Sequence, residues 1–177
     1  MSLKPDELRT KSPSQEELAQ IKRRPFVFIL DNVLDTYNVG GLFRLADAIA
    51  AEKVYLCGAT QTPPSSRIHK SAVGTENWVP WEYFHNPIEA INKIKSQNPD
   101  YKFIALEQHP KALPLTKLNT PLPVAVIVGH ETAGVSPEVI NKCDHIIELP
   151  LFGINHSLNV VVASGILSYH ILMSKLN

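Results

Sequence analysis

Residues 26–30 read Phe-Val-Phe-Ile-Leu, an apolar run that contains β-branched and aromatic side chains. A strand that is covered on both faces has this pattern, because neither of its faces meets water. Similar runs follow at residues 54–57, 79–84, 103–106, 124–128 and 145–149. We expect each run to form a strand. The run at 79–84 is the weakest of these strands or lies at an edge, because Pro80 cannot donate a ladder hydrogen bond.

Helical patterns lie between and around these runs, at residues 14–24, 38–51, 87–97, 136–142 and 157–175. Alternation of strands and helices predicts an α/β fold with a mainly parallel sheet flanked by helices. The last helix is apolar nearly all round, so we expect it to be buried. Residues 1–24 are expected to form a short extension with one helix, and residues 25–177 one domain.

Composition limits the classes of protein to be considered. The 177 residues are 44% hydrophobic, enough for one substantial core, and they contain no apolar run of the length that spans a membrane. The start of the chain has no apolar secretory signal, so we expect a cytoplasmic protein without membrane contact. Two separated cysteines form no C-x-x-C pair, and no metal is expected. Because the net charge is zero, any RNA site must be a local basic patch.

Three polar segments follow predicted strands, where parallel sheets bind their ligands. The first, residues 38–44, is interpreted as a loop that leads into a helix. At about 100° per residue, Arg44 lies roughly 150° from the centre of that helix's apolar stripe, so its guanidinium is free of the core. A surface arginine without function remains the alternative. The second segment, 129–134, contains two glycines, which allow a ligand to approach the backbone.

The third segment, residues 149–159, places Ser157 and Asn159 at the opening of the last helix. A helix cap is the simple explanation for Ser157. A serine hydrolase is not indicated, since there is no G-x-S-x-G. In the second segment, His130-Glu131 begins like a zinc-protease motif, but Gly134 stands where the second histidine would be required.

Taken in order, the three segments resemble the SpoU (TrmH-like) family of RNA 2′-O-methyltransferases, within the SPOUT superfamily. The resemblance rests on an N-x-G-x-x-x-R segment, on G-x-E-x-x-G and on a Leu-Pro strand end followed by Ser-Leu-Asn. The matching residues are Asn38, Gly40, Arg44, Gly129, Glu131, Gly134, Leu149, Pro150, Ser157, Leu158 and Asn159. Residues 69–80 also look like the family's segment between the first two motifs, so the similarity covers about residues 25–175.

The resemblance implies a deep trefoil knot in the C-terminal part of the fold, a homodimer, and S-adenosylmethionine as the cofactor. It implies that the cofactor is held by the ends of the strands and by the loops that follow them. The implied cofactor-binding residues are Leu106, Glu107, Val128, Gly129, His130, Gly134, Leu149, Pro150, Leu151, Ser157 and Leu158.

The resemblance also implies a reaction, the methylation of a ribose 2′-hydroxyl of tRNA or rRNA. Arg44 would stabilise the developing alkoxide or assist proton removal. Asn38 would position the ribose or a phosphate, and Ser157 and Asn159 would orient cofactor and acceptor. Glu131 would order the cofactor loop or make a structural hydrogen bond at the dimer interface.

RNA contacts are expected from Arg24, Arg44, Arg67 and Lys70, with Arg67 and Lys70 placed in a polar loop; Lys22 and Arg23 are further candidates. One alternative is a catalytically inactive RNA-binding or assembly protein on the same knotted fold. A nucleotide-cofactor oxidoreductase suits the α/β pattern but lacks the glycine fingerprint.

Overall fold

The computed structural model of the protein describes residues 12–174. Residues 1–11 and 175–177 belong to the predicted extension and to the end of the predicted domain, and they lie outside the described residues. Within residues 12–174, the strands are β1 Arg24–Asp31, β2 Ala51–Cys57, β3 Trp81–Phe84, β4 Lys102–Leu106, β5 Leu113–Pro114, β6 Val124–Gly129 and β7 His145–Glu148. These seven strands form one sheet in the order β3-β2-β1-β6-β4-β7-β5, and every pairing is parallel.

The predicted α/β fold with a parallel sheet is confirmed, and all six predicted strands are present. The run with Pro80 forms the edge strand β3, which begins only after the proline. Strand β5, at the opposite edge, was not predicted, because two residues that include Pro114 give no periodic pattern. The apolar run at residues 26–30 lies inside β1, where all five of its side chains are buried.

Helices cover both faces of the sheet, so each face of β1 contributes to a separate hydrophobic cluster. Phe26, Phe28 and Leu30 belong to one cluster, and Val27 and Ile29 to the other. The helices are α1 Gln15–Gln20, α2 Thr36–Ala48, α3 Ser66–Ala72, α4 Pro87–Gln97, α5 Pro137–Ile140 and α6 Val160–Met173, with 3-10 turns at Thr75–Asn77 and Leu115–Lys117. No helix within residues 12–174 is long and apolar enough to cross a membrane.

The helix predicted at residues 38–51 is present as α2 but begins two residues earlier, at Thr36, so the interpretation of residues 38–44 as a loop that leads into it is wrong. The Asp35 side chain caps the helix by accepting a hydrogen bond from the Tyr37 amide at 2.8 Å. Consequently Asn38 lies in the first turn, and Arg44 follows it by six residues on the same rigid helix. At 1.5 Å per residue, the two positions are about 9 Å apart along the helix axis.

The two adjacent glycines of α2 permit close helix packing. A Cβ on Gly40 would collide with the backbone of Ile68 and Ala72 in α3. A Cβ on Gly41 would lie 2.8 Å from the Val161 side chain of α6. Helix α2 is therefore held between α3 on one side and α6 on the other.

Helix α3 replaces the polar loop in which Arg67 and Lys70 were predicted to lie. Ser65 caps the helix, and only Ile68 and Ala72 in it are buried. A seven-residue helix with two buried positions gives too short a pattern for its period to be recognised. Arg67 and Lys70 are exposed on this helix.

The last helix, α6, is shorter and less buried than predicted. It begins at Val160, not at residue 157, and Asn159 is its N-cap residue. One face, which includes Leu167 and Ile171, is buried in the core. The opposite face exposes an apolar stripe, so the expectation of a fully buried helix is wrong for this chain alone. The stripe consists of Val162, Ile166, Tyr169 and Met173.

Candidate active site

A cavity of about 470 Å³ lies at the carboxyl ends of β4, β6 and β7. Cavities of this size and position accommodate small-molecule ligands and cofactors in α/β proteins. It brings together twelve of the predicted catalytic and cofactor-binding residues, one or more from each of the three polar segments. They are Asn38, Leu106, Glu107, Gly129, His130, Glu131, Gly134, Leu149, Leu151, Ser157, Leu158 and Asn159.

Two predicted cofactor residues, Val128 and Pro150, do not line the cavity. Val128 is fully buried inside β6. Its side chain serves the hydrophobic core, because the pleat of a strand directs alternate residues to opposite faces. Pro150 is exposed in the loop after β7.

The loop after β6, residues 129–134, folds back on itself tightly. The His130 amide donates to the Gly134 carbonyl at 3.1 Å, and the Gly134 amide donates to the His130 carbonyl at 2.8 Å. Gly134 has a φ of +71°, and a Cβ there would collide with the Glu107 carboxylate. Glu107 accepts from the Val135 amide at 2.8 Å and so ties this loop to the end of β4. The second segment therefore requires glycine both for its backbone angle and for space.

A chain of hydrogen bonds connects one residue from each polar segment; we call Glu131, Asn38 and Asn159 the amide chain. Asn159 donates to the Asn38 Oδ1 at 3.0 Å, and Asn38 donates through Nδ2 to the Glu131 carboxylate at 3.0 Å. The Asn159 Oδ1 accepts from the Val161 amide at 2.8 Å, at the start of α6. A carboxylate only accepts and a backbone amide only donates, so these two ends fix the orientation of both asparagine side chains.

Glu131 also anchors the start of α2. Its carboxylate accepts from the backbone amides of Asp35 at 3.0 Å and Leu34 at 3.2 Å. Burial raises the pKa of Glu131, but the hydrogen bonds from Asn38 and from these amides outweigh burial, so the pKa lies below its ordinary value. The ionised form is therefore the one that the site stabilises.

The third segment, residues 149–159, is mostly exposed and makes few polar contacts. Phe152 and Ile154 are both 95% exposed. Gln108 Nε2 donates to the His156 carbonyl at 2.6 Å. Among the described residues, this hydrogen bond ties residues 149–158 to another part of the chain. Ser157 lines the cavity from this loop but does not cap α6, because Asn159 does so.

Arg44 lies on the outer face of α2, and its side chain is exposed as its helical position predicts. It makes no hydrogen bond or ion pair within residues 12–174. The side chain does not line the cavity, although Asn38 on the same helix does. A bound molecule that extends from the cavity to the outer face of α2 would contact both Asn38 and Arg44.

The basic residues predicted to bind RNA do not form one patch. Arg67 and Lys70 are exposed on α3, which packs against α2 at Gly40. Arg24 begins β1, about 23 Å from the strand's carboxyl end at 3.3 Å per residue. The Arg23 guanidinium donates to the carbonyls of Ala51 at 3.0 Å and Trp78 at 2.9 Å. Arg23 therefore has a structural role.

Eight cavity residues were missed by sequence reasoning. They are Gln108, Thr132, Ile147, Glu148, Asn155, His156, Val160 and Ala163. Most lie within two or three residues of a predicted position. Their closeness in sequence to those positions could have indicated them. Gln108 follows Glu107 in this way, but nothing in the sequence indicates its hydrogen bond to the distant His156.

Neither cysteine has the character of a reactive thiol, and the described residues hold no metal cluster. Burial raises the pKa of the Cys57 and Cys143 thiols to about 12, so both stay protonated near neutral pH. Within residues 12–174, no group of three or more His, Cys, Asp or Glu side chains is arranged to hold a metal ion.

The profile of the SpoU rRNA methylase family matches residues 25–169, which is most of the chain and includes all three polar segments. The chain belongs to the SpoU rRNA methylase family. The family predicted from the three motifs is thereby confirmed. A curated relative in the SpoU family is the tRNA (guanosine(18)-2′-O)-methyltransferase of Aquifex aeolicus, 27% identical over 154 residues. The alignment covers 86% of this chain and 71% of that enzyme.

Solved SpoU structures have the same fold. The A. aeolicus TrmH/SpoU tRNA modifying enzyme superposes with a TM-score of 0.78 at 24% identity, covering 90% of this chain and 79% of that one. The SpoU methyltransferase AviRb from Streptomyces viridochromogenes, in complex with the cofactor AdoMet, gives 0.79 at 20% identity, covering 93% and 63%. At these identities the superpositions establish the fold of this SpoU family member.

Proposed function

We propose that this protein transfers a methyl group from S-adenosylmethionine to a ribose 2′-hydroxyl of tRNA or rRNA. One observation carries the proposal: the three polar segments meet around one cavity and are joined there by the amide chain. Membership of the SpoU family supports the class of reaction, and the AdoMet complex of a SpoU relative supports the cofactor.

The cavity fits such a cofactor in its chemistry. Apolar side chains are available to the adenine ring, among them Leu106, Leu149 and Leu158. Glu107 and the backbone around Gly129 offer polar groups to the ribose and to the amino-acid part. A few placed polar groups within an apolar lining are typical of cofactor sites. The cofactor supplies an electrophilic methyl group on its sulfonium.

The chain's own part in the reaction is to align and stabilise the acceptor. The ribose oxygen forms a bond to the methyl carbon while the carbon–sulfur bond breaks, and the hydroxyl proton leaves to solvent or a nearby base. The Arg44 guanidinium stabilises the negative charge that develops on this oxygen, since arginine stays charged. Ser157 orients the acceptor from the opposite side of the cavity.

The amide chain assigns a supporting role to Asn38, Glu131 and Asn159. Both ends of the Asn38 amide already hold partners, so Asn38 positions α2 and α6 relative to each other. Its second N–H and remaining lone pair are still available to the ribose. Glu131 orders the start of α2 and so fixes the helix that carries Arg44.

The working unit we propose is a homodimer formed through α6. The apolar stripe of α6 is continuous along about three turns, from Val162 to Met173, and contiguous apolar surface of this kind marks contact sites. The same helix lines the cavity with Val160 and Ala163. A second copy placed against the stripe would therefore lie beside the site, and its basic residues would add to the RNA surface.

The C-terminal segment forms a trefoil knot in this proposal. Strand β7 lies between β4 and β5, which precede it in the chain, and Ile147 faces Leu106 on one side and Leu113 on the other. The chain then returns as α6 to pack against α2. The proposed knot is supported by β7, which is inserted between two strands that precede it in the chain, and by the return of the chain as α6.

We place the protein in the cytoplasm, where tRNA and rRNA are its substrates.

Calorimetry and ribose mapping test the proposal together. We expect saturable binding of S-adenosylmethionine and of its demethylated product, and no binding of NAD. Mapping of 2′-O-methylation across total RNA, with and without the protein, should show at least one site that depends on it. Binding without any dependent site would favour the inactive RNA-binding alternative, and NAD binding alone would refute the proposal.

Mixed dimers test the shared site. Arg44→Ala and Ser157→Ala subunits are each expected to be inactive as homodimers. If catalysis uses residues of both subunits, combining them restores one complete site. A fully active monomer, or mixed dimers without recovered activity, would contradict the dimeric arrangement.

A further inference from the structure

In the loop after β6, residues 129–134, the His130 side chain lies at the centre of the closing turn. His130 and Gly134 pair through their backbones, and the three residues between them form the tip of the turn. Within the tip, the Thr132 amide points at His130 Nδ1 at 3.0 Å, and the Ala133 amide points at the same atom at 3.3 Å. The Thr132 hydroxyl lies 3.2 Å from it as well. One ring nitrogen therefore organises most of the loop.

The two backbone donors then determine which nitrogen of this ring accepts. Two backbone N–H groups can only donate, so Nδ1 must accept and cannot carry a proton. A neutral histidine whose Nδ1 accepts has its proton on Nε2. Nε2 itself has no hydrogen-bond partner within the described part of the chain. The loop geometry thus selects the neutral Nε2–H tautomer of His130.

We propose that His130 is a positioning residue for the cofactor: its neutral imidazole holds the backbone of residues 131–133 in the shape that receives S-adenosylmethionine. The inference rests on the proposed function, since it requires this cavity to bind that cofactor. His130 acts through the backbone of the loop, and the loop contacts the ligand. The resemblance counts His130 among the cofactor-binding residues but gives no task to its side chain, because the G-x-E-x-x-G motif leaves this position open.

Two side chains of the loop, Glu131 and His130, hold it in different ways. Glu131 ties the loop outward to the start of α2, through the Asp35 and Leu34 amides. His130 ties the tip inward onto itself. Without the inner acceptor, the Thr132 and Ala133 amides turn to water and the tip samples other conformations. Binding must then order the tip, which weakens affinity even though every group that touches the ligand is still present.

A matched set of three variants tests this role, with S-adenosylmethionine and S-adenosylhomocysteine as calorimetric probes. In His130→Asn, the Oδ1 is bonded to Cγ as Nδ1 is, so it offers an acceptor at the same place. In His130→Gln the acceptor is one methylene too far, and in His130→Ala it is absent. We expect Asn to bind within about threefold of wild type, and Ala and Gln to bind about tenfold more weakly, a loss of about one hydrogen bond.

The protonation state is measured separately by nitrogen NMR of the histidine rings. The assigned His130 ring should show an unprotonated Nδ1 and a protonated Nε2 before the cofactor is added. Thermal unfolding of each variant provides the check on folding, and all three are expected to unfold as cooperatively as wild type.

Two results would overturn the inference while leaving the proposed function intact. Equal affinity of wild type and His130→Ala would show that the acceptor is not needed. Weak binding by His130→Asn, as weak as His130→Ala, would show that the ring acts through another atom. Wild-type protein that binds neither probe would instead refute the proposed function itself.

Discussion

The two sides of the cavity are built differently. On one side, the amide chain joins α2, the loop after β6 and the start of α6, and each of its side chains makes at least two hydrogen bonds. On the other side, residues 150–158 are exposed, and residues 149–158 are tied to another described part of the chain by the Gln108–His156 hydrogen bond. We call the amide chain, together with the elements that it joins, the fixed wall, and we call residues 149–158 the loose wall. From this comparison we expect the fixed wall to align the reacting groups and the loose wall to adjust when the cofactor binds.

The largest effect is expected from Arg44, which the fixed wall carries on its outer face. Arg44→Ala should lower kcat by about a hundredfold or more, because one charge-stabilising donor contributes about 3 kcal/mol to a transition state. Cofactor affinity should change little, since Arg44 does not line the cavity. Single-turnover methyl transfer and calorimetry measure the two quantities.

Arg44→Lys sharpens that test and should recover little activity, because an ammonium group lacks the planar fork of donors. Arg67→Ala is the matched control, an exposed arginine on the neighbouring helix whose loss should leave kcat unchanged at saturating RNA. An Arg44→Ala protein with near-normal turnover would remove Arg44 from the mechanism.

Breaking the fixed wall itself should have the next largest effect. Glu131→Ala leaves the Asn38 side chain and two backbone amides without their acceptor. We expect kcat to fall about tenfold, and the free energy of unfolding to fall by about 1–3 kcal/mol, the usual cost of such unsatisfied groups. Glu131→Gln restores an acceptor but not the charge, so it should lie between Ala and wild type in both measurements.

The same wall predicts a dependence of stability on pH. The pKa of Glu131 is lowered in the folded protein, so its contribution is fully present above the ordinary glutamate pKa and is lost as pH falls through the lowered value. Chemical unfolding of wild type and Glu131→Gln over the acidic range should therefore show the two stabilities converging as pH falls. A constant difference between them would contradict this.

Loosening the loose wall further should have a smaller effect, confined to cofactor binding. Gln108→Ala removes the hydrogen bond to the His156 carbonyl, and we expect the Kd for S-adenosylmethionine to rise about threefold to tenfold. At saturating cofactor, kcat should be unchanged. Gln108→Glu is the control of similar size, which cannot donate this bond and should match Ala. A loss of kcat in both would show that this wall also aligns the acceptor.

The smallest effect is expected from α3, outside both walls. Arg67→Ala with Lys70→Ala should weaken RNA binding and lower the slope of log K against log salt by about one for each phosphate that the variant no longer neutralises. Cofactor affinity should not change. An unchanged slope would exclude this helix from the RNA surface.

The sequence was informative where a pattern is long or chemically specific. Strand β1 was evident because five consecutive apolar residues that include β-branched and aromatic side chains are typical of a strand covered on both faces. The three motif segments were found, and they do meet in the structure. The amide chain was not foreseeable, since it depends on the distance between Asn38 and Asn159, which are 121 positions apart. Helix α3 was missed because two buried residues give no recognisable period.

The exposed side of α6 shows a different limit of prediction. Its apolar residues predicted a helix that is buried all round, and the structure confirms burial only for the face that packs on the core. The core of this chain takes one face, with Leu167 and Ile171, and leaves Val162, Ile166, Tyr169 and Met173 in solvent. An apolar composition on all sides of a helix therefore does not tell how much of the helix its own core covers.

Gly40 and Gly41 are neighbours, yet mutations at the two positions should differ in whether a second mutation can repair them. An added methyl at Gly40 meets backbone atoms of α3, which no side-chain replacement can remove. The three atoms nearest to an added methyl at Gly41 all belong to the Val161 side chain. Val161→Ala would therefore suppress the defect of Gly41→Ala, whereas a suppressor of Gly40→Ala would have to move a whole helix. In a genetic screen, we therefore expect single side-chain suppressors for a substitution at Gly41 but not for one at Gly40.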